Sequence, residues 1–200
     1  MAKTDKDTLT FQDMRLDDVI DASILNSRRL FLNDAIDSET GGALIRKFWY
    51  LENKEPGKPI TLIINSPGGE INAGFAIWDQ IKMLTSPVTT IVTGLAASMG
   101  SVLSLCAAKN RRFATPNARF MIHQPLIGGV VKGQATDLEI HAREMLKMRA
   151  ILVDIYAKAT GKDPKKIEKD IDRDTWLSAQ EALEYGLIDK IVTTHKDIPA

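Results

Sequence analysis

The chain has 200 residues and a formal net charge of zero, with 26 lysines and arginines against 26 aspartates and glutamates. That balance gives no argument for a nucleic-acid partner, and no apolar run approaches the roughly 20 residues that span a bilayer. Cys106 is the single cysteine, which excludes a disulfide framework within the chain and leads us to expect a reducing cytosol. Residues 1–16 are polar and charged, without a signal-peptide core. Leu30 and Leu32 mark an early strand, and Leu44, Ile45, Phe48, Trp49 and Leu51 mark the helix after it. Residues 52–59 read as a solvated connection. Residues 60–64 form a short apolar strand, followed by a helix marked by Ala73, Ile77, Trp78 and Ile81. Residues 88–93 are β-branched and apolar, a buried strand, and Val102, Leu103, Cys106 and Ala107 then recur at helical spacing. Residues 118–123 form a strand that ends on His123.

From Ala135 to about Thr160 there is neither proline nor glycine. Leu138, His141, Met145, Met148, Leu152 and Ile155 make one apolar stripe on this helix. It would be about 39 Å long at 1.5 Å per residue, more than one small domain covers. A long core helix bent around the head is the competing reading; the stripe instead suggests packing against a partner, with His141 as a packing or interface residue. Gly161 is placed to end the helix, Asp163 and Pro164 to start a short one, and Ser178 with Glu181 to form a capping box. Alternating strands and helices predict an α/β fold. No G-x-x-x-x-G-K-[ST] occurs, so ATP binding through a P-loop is not expected.

Three segments carry chemistry. Ser98 lies in Thr93-Gly94-Leu95-Ala96-Ala97-Ser98-Met99-Gly100, at a strand-to-helix junction. A hydroxyl there sits beside free backbone N–H groups and the positive end of a helix dipole. Acyl transfer needs that environment, because negative charge develops on the attacked carbonyl oxygen. A plain helix cap is the competing reading of the same serine. Ala96 takes the place of the first glycine of the hydrolase elbow G-x-S-x-G. In Asn65-Ser66-Pro67-Gly68-Gly69 the paired glycines allow close backbone approach, although Pro-Gly is also an ordinary turn signal. His123 ends Ala118-Arg119-Phe120-Met121-Ile122-His123-Gln124-Pro125, where its side chain can face a cleft.

In this order and spacing the three segments resemble the ClpP family, the serine peptidase of the Clp ATP-dependent protease. Gly133-Gln134-Ala135-Thr136-Asp137, Leu177-Ser178-Ala179 and Tyr185-Gly186-Leu187-Ile188-Asp189 extend the match over roughly residues 27–192. The resemblance implies a ClpP/crotonase-like α/β fold over residues 1–200. Its stacked ββα head would carry a flexible axial segment at 1–16 and a protruding handle at 124–160. It implies Ser98 as nucleophile, His123 as base and Asp174 as the orienting acid, with Asp172 as the near competitor. Backbone N–H groups of Gly69 and Met99 would form the oxyanion hole, Gly68 being the other candidate for the first donor. Gln124, Pro125 and Leu126 would begin a strand, continuing through Gly128 and Gly129, that pairs with substrate main chain; from composition alone residues 124–136 read equally as a loop.

The resemblance also implies partners. Arg173, with Asp137 or Gln134 of a facing ring, would sense contact between two stacked heptameric rings. An AAA+ Clp ATPase of the ClpX, ClpA or ClpC type would dock on a pocket formed by Thr61, Ile63, Met83, Phe113 and Val192. Polypeptides would be the substrates, with no cofactor, metal, nucleic acid or membrane involved. The sequence departs from the family pattern in residues 11–29, in the extra length of residues 127–132, and at Thr61 and Ile63, which are often aromatic. These departures predict an atypical paralogue that degrades folded proteins poorly alone and works with a second ClpP subunit. Two other classes are a non-proteolytic ring subunit and a CoA-thioester enzyme of the crotonase type.

Overall fold

A computed structural model describes residues 15–126 and 133–198. Most of the axial segment expected at 1–16, and the glycines Gly128 and Gly129 of the expected substrate strand, lie outside the described residues. Helix α1 (Leu16–Asn26) leads into β1 (Arg29–Leu32), α2 (Ser38–Lys54), β2 (Ile60–Ser66), α3 (Ile71–Met83) and β3 (Val88–Ala97). Then follow α4 (Met99–Ser104), β4 (Arg112–Ala114), β5 (Arg119–Ile122) and the long α5 (Ala135–Thr160). The chain closes with α6 (Pro164–Asp170), β6 (Thr175–Ser178), α7 (Ala179–Tyr185) and β7 (Lys190–Ile191). The fold is α/β, as the alternation predicts.

The strands join one sheet in the order β1-β2-β3-β4-β7, with every pair parallel. β3 is longer than the sequence predicts and serves two partners. Thr90–Val92 pair with β4, whereas Leu95–Ala97 pair with β5, to which β6 is antiparallel. The change of partner falls at Gly94 (φ 86°), where a Cβ would come within 2.6 Å of Asn65 Oδ1. That oxygen accepts the Leu95 N–H at 3.0 Å, filling the register shift between Ile64 and Ser66.

The main core lies on one sheet face. Leu30, Leu62, Ile64 and Val92 pack there against Phe48 and Leu51 of α2, Ile77 and Ile81 of α3, and Leu152, Val153 and Tyr156 of α5. A second cluster of Ile91, Phe113 and Val192, with Ile198 against it, sits apart. α4 is shorter than the Cys106–Ala107 periodicity predicts and stops at Ser104. Leu105 N–H and Cys106 N–H turn back to the carbonyls of Val102 and Leu103 at 3.0 and 3.1 Å, tightening the last turn. Cys106 is nevertheless buried, which pushes its thiol up to about 12.

α5 spans Ala135 to Thr160, the bounds the sequence sets, and Gly161 ends it in the left-handed conformation (φ 72°). The predicted stripe divides along its length. Leu152 is buried and Ile155 half-buried, whereas His141 and Leu138 are exposed. The C-terminal turns thus dock on the head and the N-terminal turns stand clear of it. Asp163 caps α6 through Lys165 N–H at 2.8 Å, and Ser178 and Glu181 form their reciprocal box at the start of α7.

Candidate active site

Two strand registers assemble the site. β3 and β5 run parallel with Ala97 opposite Met121, and the Ser98 N–H extends that ladder to Met121 O at 2.9 Å. β5 and β6 run antiparallel with Ile122 opposite Thr175. One step further puts His123 opposite Asp174. The side chains meet accordingly: His123 Nε2 lies 2.8 Å from Ser98 Oγ, and His123 Nδ1 lies 3.1 Å from Asp174 Oδ1. The imidazole side chain is 18% exposed, while the Asp174 carboxylate is 61% exposed and open to solvent. Asp172 is two residues off this register. Its carbonyl accepts from Gln124 Nε2 at 2.9 Å, and no bond joins it to His123.

Ser98 occupies the N-cap position of α4, yet its side chain makes no capping bond. Its backbone holds φ 52° and ψ −124°, a region L-residues rarely adopt. Strain of this kind costs roughly 1–3 kcal/mol and persists only where surroundings enforce it. The sharp turn lifts Oγ off the helix N-terminus and toward His123. Gly68 makes the turn possible, since a Cβ there would fall 2.5 Å from Ala97 O and 2.7 Å from Ser98 Cβ. A Cβ on Gly69 would collide with Ile36 O at 2.1 Å.

The backbone donors beside Ser98 differ in availability. Gly68 N–H donates to Ser66 Oγ at 3.2 Å. Met99 opens α4, where an N–H has no acceptor within the helix. Gly69, Met99 and Ser98 line a cavity of about 240 Å³ together with Leu126, Leu152 and Tyr156. Gln124 and Pro125 border the same cavity, with Gln124 N–H held by Ile171 O at 2.6 Å, and Leu126 is 74% exposed. Leu152 and Tyr156 enter this lining from α5, far from the motifs in sequence, and Ile71 enters it from the first turn of α3, two residues after Gly69. Leu152 was legible only as part of an apolar stripe, and nothing in the sequence marks Tyr156.

The remaining expected residues fall into two groups. Gln134 and Asp137 stand exposed at the start of α5, where the Asp137 N–H donates to the Gln134 carbonyl at 3.0 Å, and Arg173 lies on the turn before β6, with no bond to either of them among the described residues. Thr61, Ile63, Phe113 and Val192 share the sheet face opposite the main core, with Ile63 level with Phe31, Ile91 and, one strand further, Phe113. Met83 ends α3 on the main-core side, largely exposed. Among the described residues no cluster of His, Cys, Asp or Glu suits a metal ion, and no helix is long and apolar enough to cross a membrane.

Comparison with known proteins agrees with the motifs. The family model for Clp protease matches residues 12–195. The chain is 64% identical to ATP-dependent Clp protease proteolytic subunit 1 of Protochlamydia amoebophila, over 92% of this chain and 89% of that protein. It is 60% identical to the subunit 1 of Chlamydia muridarum, over 92% of this chain and 96% of that one. A subunit 2, from Treponema denticola, is 47% identical over 92% of this chain and 90% of its own length.

Proposed function

Because the chain belongs to the Clp protease family, we propose that it is a serine endopeptidase subunit whose nucleophile is Ser98. The observation that carries this reading is the continuous chain Ser98 Oγ–His123 Nε2, His123 Nδ1–Asp174 Oδ1, at 2.8 and 3.1 Å. His123 takes the Ser98 proton as Oγ attacks a peptide carbonyl. Asp174 accepts the Nδ1 proton's hydrogen bond, fixing the tautomer and stabilising the imidazolium that forms. The N–H groups of Gly69 and Met99 receive the oxyanion, and Gly68 is disfavoured because its N–H already donates to Ser66 Oγ. The imidazolium returns its proton to the leaving amine. Water then attacks the acyl-enzyme with His123 again as base, and Ser98 is regenerated.

Gln124, Pro125 and Leu126 border the cavity and are the proposed start of a substrate-pairing strand. Main-chain pairing would give the broad sequence tolerance of such a peptidase. At the level of assembly, the proposed unit is one peptidase body in two stacked heptameric rings, with α5 as the handle and a cytoplasmic location. A separate AAA+ ATPase would dock at Thr61, Ile63, Phe113 and Val192, with Met83 contributed by a neighbouring copy. Thr61 and Ile63 offer less area than aromatic rings, which bury roughly 150–250 Å² each. A deficit repeated around a ring weakens avidity steeply.

The test is hydrolysis by the purified chain. A short peptide is expected to be cleaved, and Ser98→Ala to abolish cleavage by on the order of 10⁶ in turnover. A folded, tagged substrate with the cognate ATPase and ATP is expected to be degraded efficiently only when a second ClpP subunit is added. Peptide cleavage surviving in a clean Ser98→Ala preparation would refute the nucleophile. Efficient degradation by this subunit alone would refute the mixed ring.

A further inference from the structure

Helix α5 does more at the site than line the cavity. Tyr156, about one turn before the C-terminal end of α5, is 1% exposed, and its hydroxyl lies 2.6 Å from Ser101 Oγ. Ser101, in the first turn of α4, is fully buried, and its Oγ donates to the carbonyl of Ser98 at 2.7 Å. A serine hydroxyl carries one proton. With that proton given to Ser98 O, the short contact to Tyr156 requires the phenol to be the donor. The result is a directed chain, Tyr156 O–H to Ser101 Oγ–H to Ser98 C=O. Backbone N–H groups of Ser101 and Val102 reach the same carbonyl at 3.0 and 3.2 Å.

That carbonyl follows the ψ of Ser98, the angle that sets the strained turn. Two features make the chain more than core filling. First, its end point is, among the described residues, the one non-glycine residue of the site with positive φ. Second, both of its side chains are buried, so each hydroxyl is confined to the other partner, and hydrogen bonds in series polarise one another in a low dielectric. Burial also pushes the Tyr156 phenol up, keeping it protonated as a donor.

We propose that Tyr156 and Ser101 are positioning residues that hold the Ser98 turn, and that through them α5 sets the reactivity of the nucleophile. This rests on the reading of Ser98 as nucleophile. Strain at Ser98 is then enforced partly from α5, whose far turns stand clear of the head. A change in how α5 seats on the head would be felt at Oγ without any residue of the Ser98–His123–Asp174 chain being touched.

The experiment uses the full-length assembled protein and compares wild type with Tyr156→Phe, Ser101→Ala and the double variant. Four quantities are measured: the rate constant for Ser98 labelling by a fluorophosphonate, kcat and KM on a short fluorogenic peptide, the melting temperature, and the assembly state. Each single variant is expected to lower the labelling constant and kcat about two- to tenfold, the worth of one net hydrogen bond. KM and assembly should stay unchanged. The double variant should lose no more than the worse single, because the two hydroxyls act as one chain. Labelling and kcat at the wild-type level in both singles, whatever the melting temperature does, would overturn the proposal. So would a change confined to KM, since that would make Tyr156 a cavity wall only. If wild type is not labelled at Ser98, the nucleophile assignment itself falls and takes this inference with it, an outcome separate from normal labelling of the variants.

Discussion

At Asp174 a single step of strand register decides the chemistry. The β5–β6 ladder sets His123 opposite Asp174 and leaves Asp172 bonded through its carbonyl to Gln124. Asp174→Asn should therefore cripple peptide hydrolysis by about 10⁴, because the amide favours the wrong imidazole tautomer. Asp172→Asn should leave turnover close to wild type. The measurement is kcat on a short peptide for the two variants side by side, and a more damaging Asp172→Asn would exchange their roles. Ser98 and His123 were legible from local sequence, since each lies in a distinctive run at an element boundary. The acid was not, because carboxylates are common and the pairing that selects one of them is long-range. Ser101 and Tyr156 were invisible for the same reason: their contact spans 55 positions in the chain. The cap reading of Ser98 failed on a backbone angle that sequence does not encode directly.

Among the elements, those with strong local signals kept their predicted bounds. α5 runs from Ala135 to Thr160, and the caps at Asp163 and Ser178 stand where their side-chain chemistry places them. α4 and β3 departed, and both departures are tertiary. β3 is extended by its second partner β5, and α4 is stopped where the Ser104 carbonyl is taken by Thr90 Oγ1 at 2.7 Å. Residues 52–59, read as a solvated connection, hide a buried anion. Glu52, still within α2, is buried and accepts the Ser86 N–H at 3.1 Å and the Thr85 N–H at 2.9 Å. Burial opposes its charge, yet bonds from Ser86 and Thr85 hold its carboxyl down to about 2, below the ordinary 4.5. A depressed carboxylate stabilises the fold fully above the unfolded value and loses that contribution as pH falls through the folded one. Glu52→Gln should cost on the order of 1–3 kcal/mol at neutral pH, because the amide turns a donor toward a buried N–H. Its melting temperature should also fall less steeply than that of wild type between pH 4.5 and 2. Parallel slopes in that window would contradict the assignment.

On the scale of the whole molecule, apolar surface remains uncovered along α5 and on the outer face of the sheet, among other places. Ile140, Leu146 and Ile151 are exposed along α5, at 56%, 64% and 48%, and Phe31 is exposed on the outer sheet face. The apolar pattern of α5 was readable in the sequence, but not which turns the head would cover. Arg173, beside Asp174 at the edge of the site, is the proposed ring-to-ring residue, with Asp137 or Gln134 of a facing copy as its partner. Arg173→Ala should lower both assembly and peptidase activity in sedimentation and turnover assays. A variant that assembles and cleaves as before would remove Arg173 from the interface. The central claim remains that Ser98 is a nucleophile activated by His123. Intact-mass and peptide-mapping spectrometry of the assembled protein after fluorophosphonate treatment tests it most directly. One adduct per chain, on Ser98, absent from Ser98→Ala and strongly slowed in His123→Ala, is the predicted result. An unlabelled chain, or an adduct that maps to another residue and persists in Ser98→Ala, would contradict it.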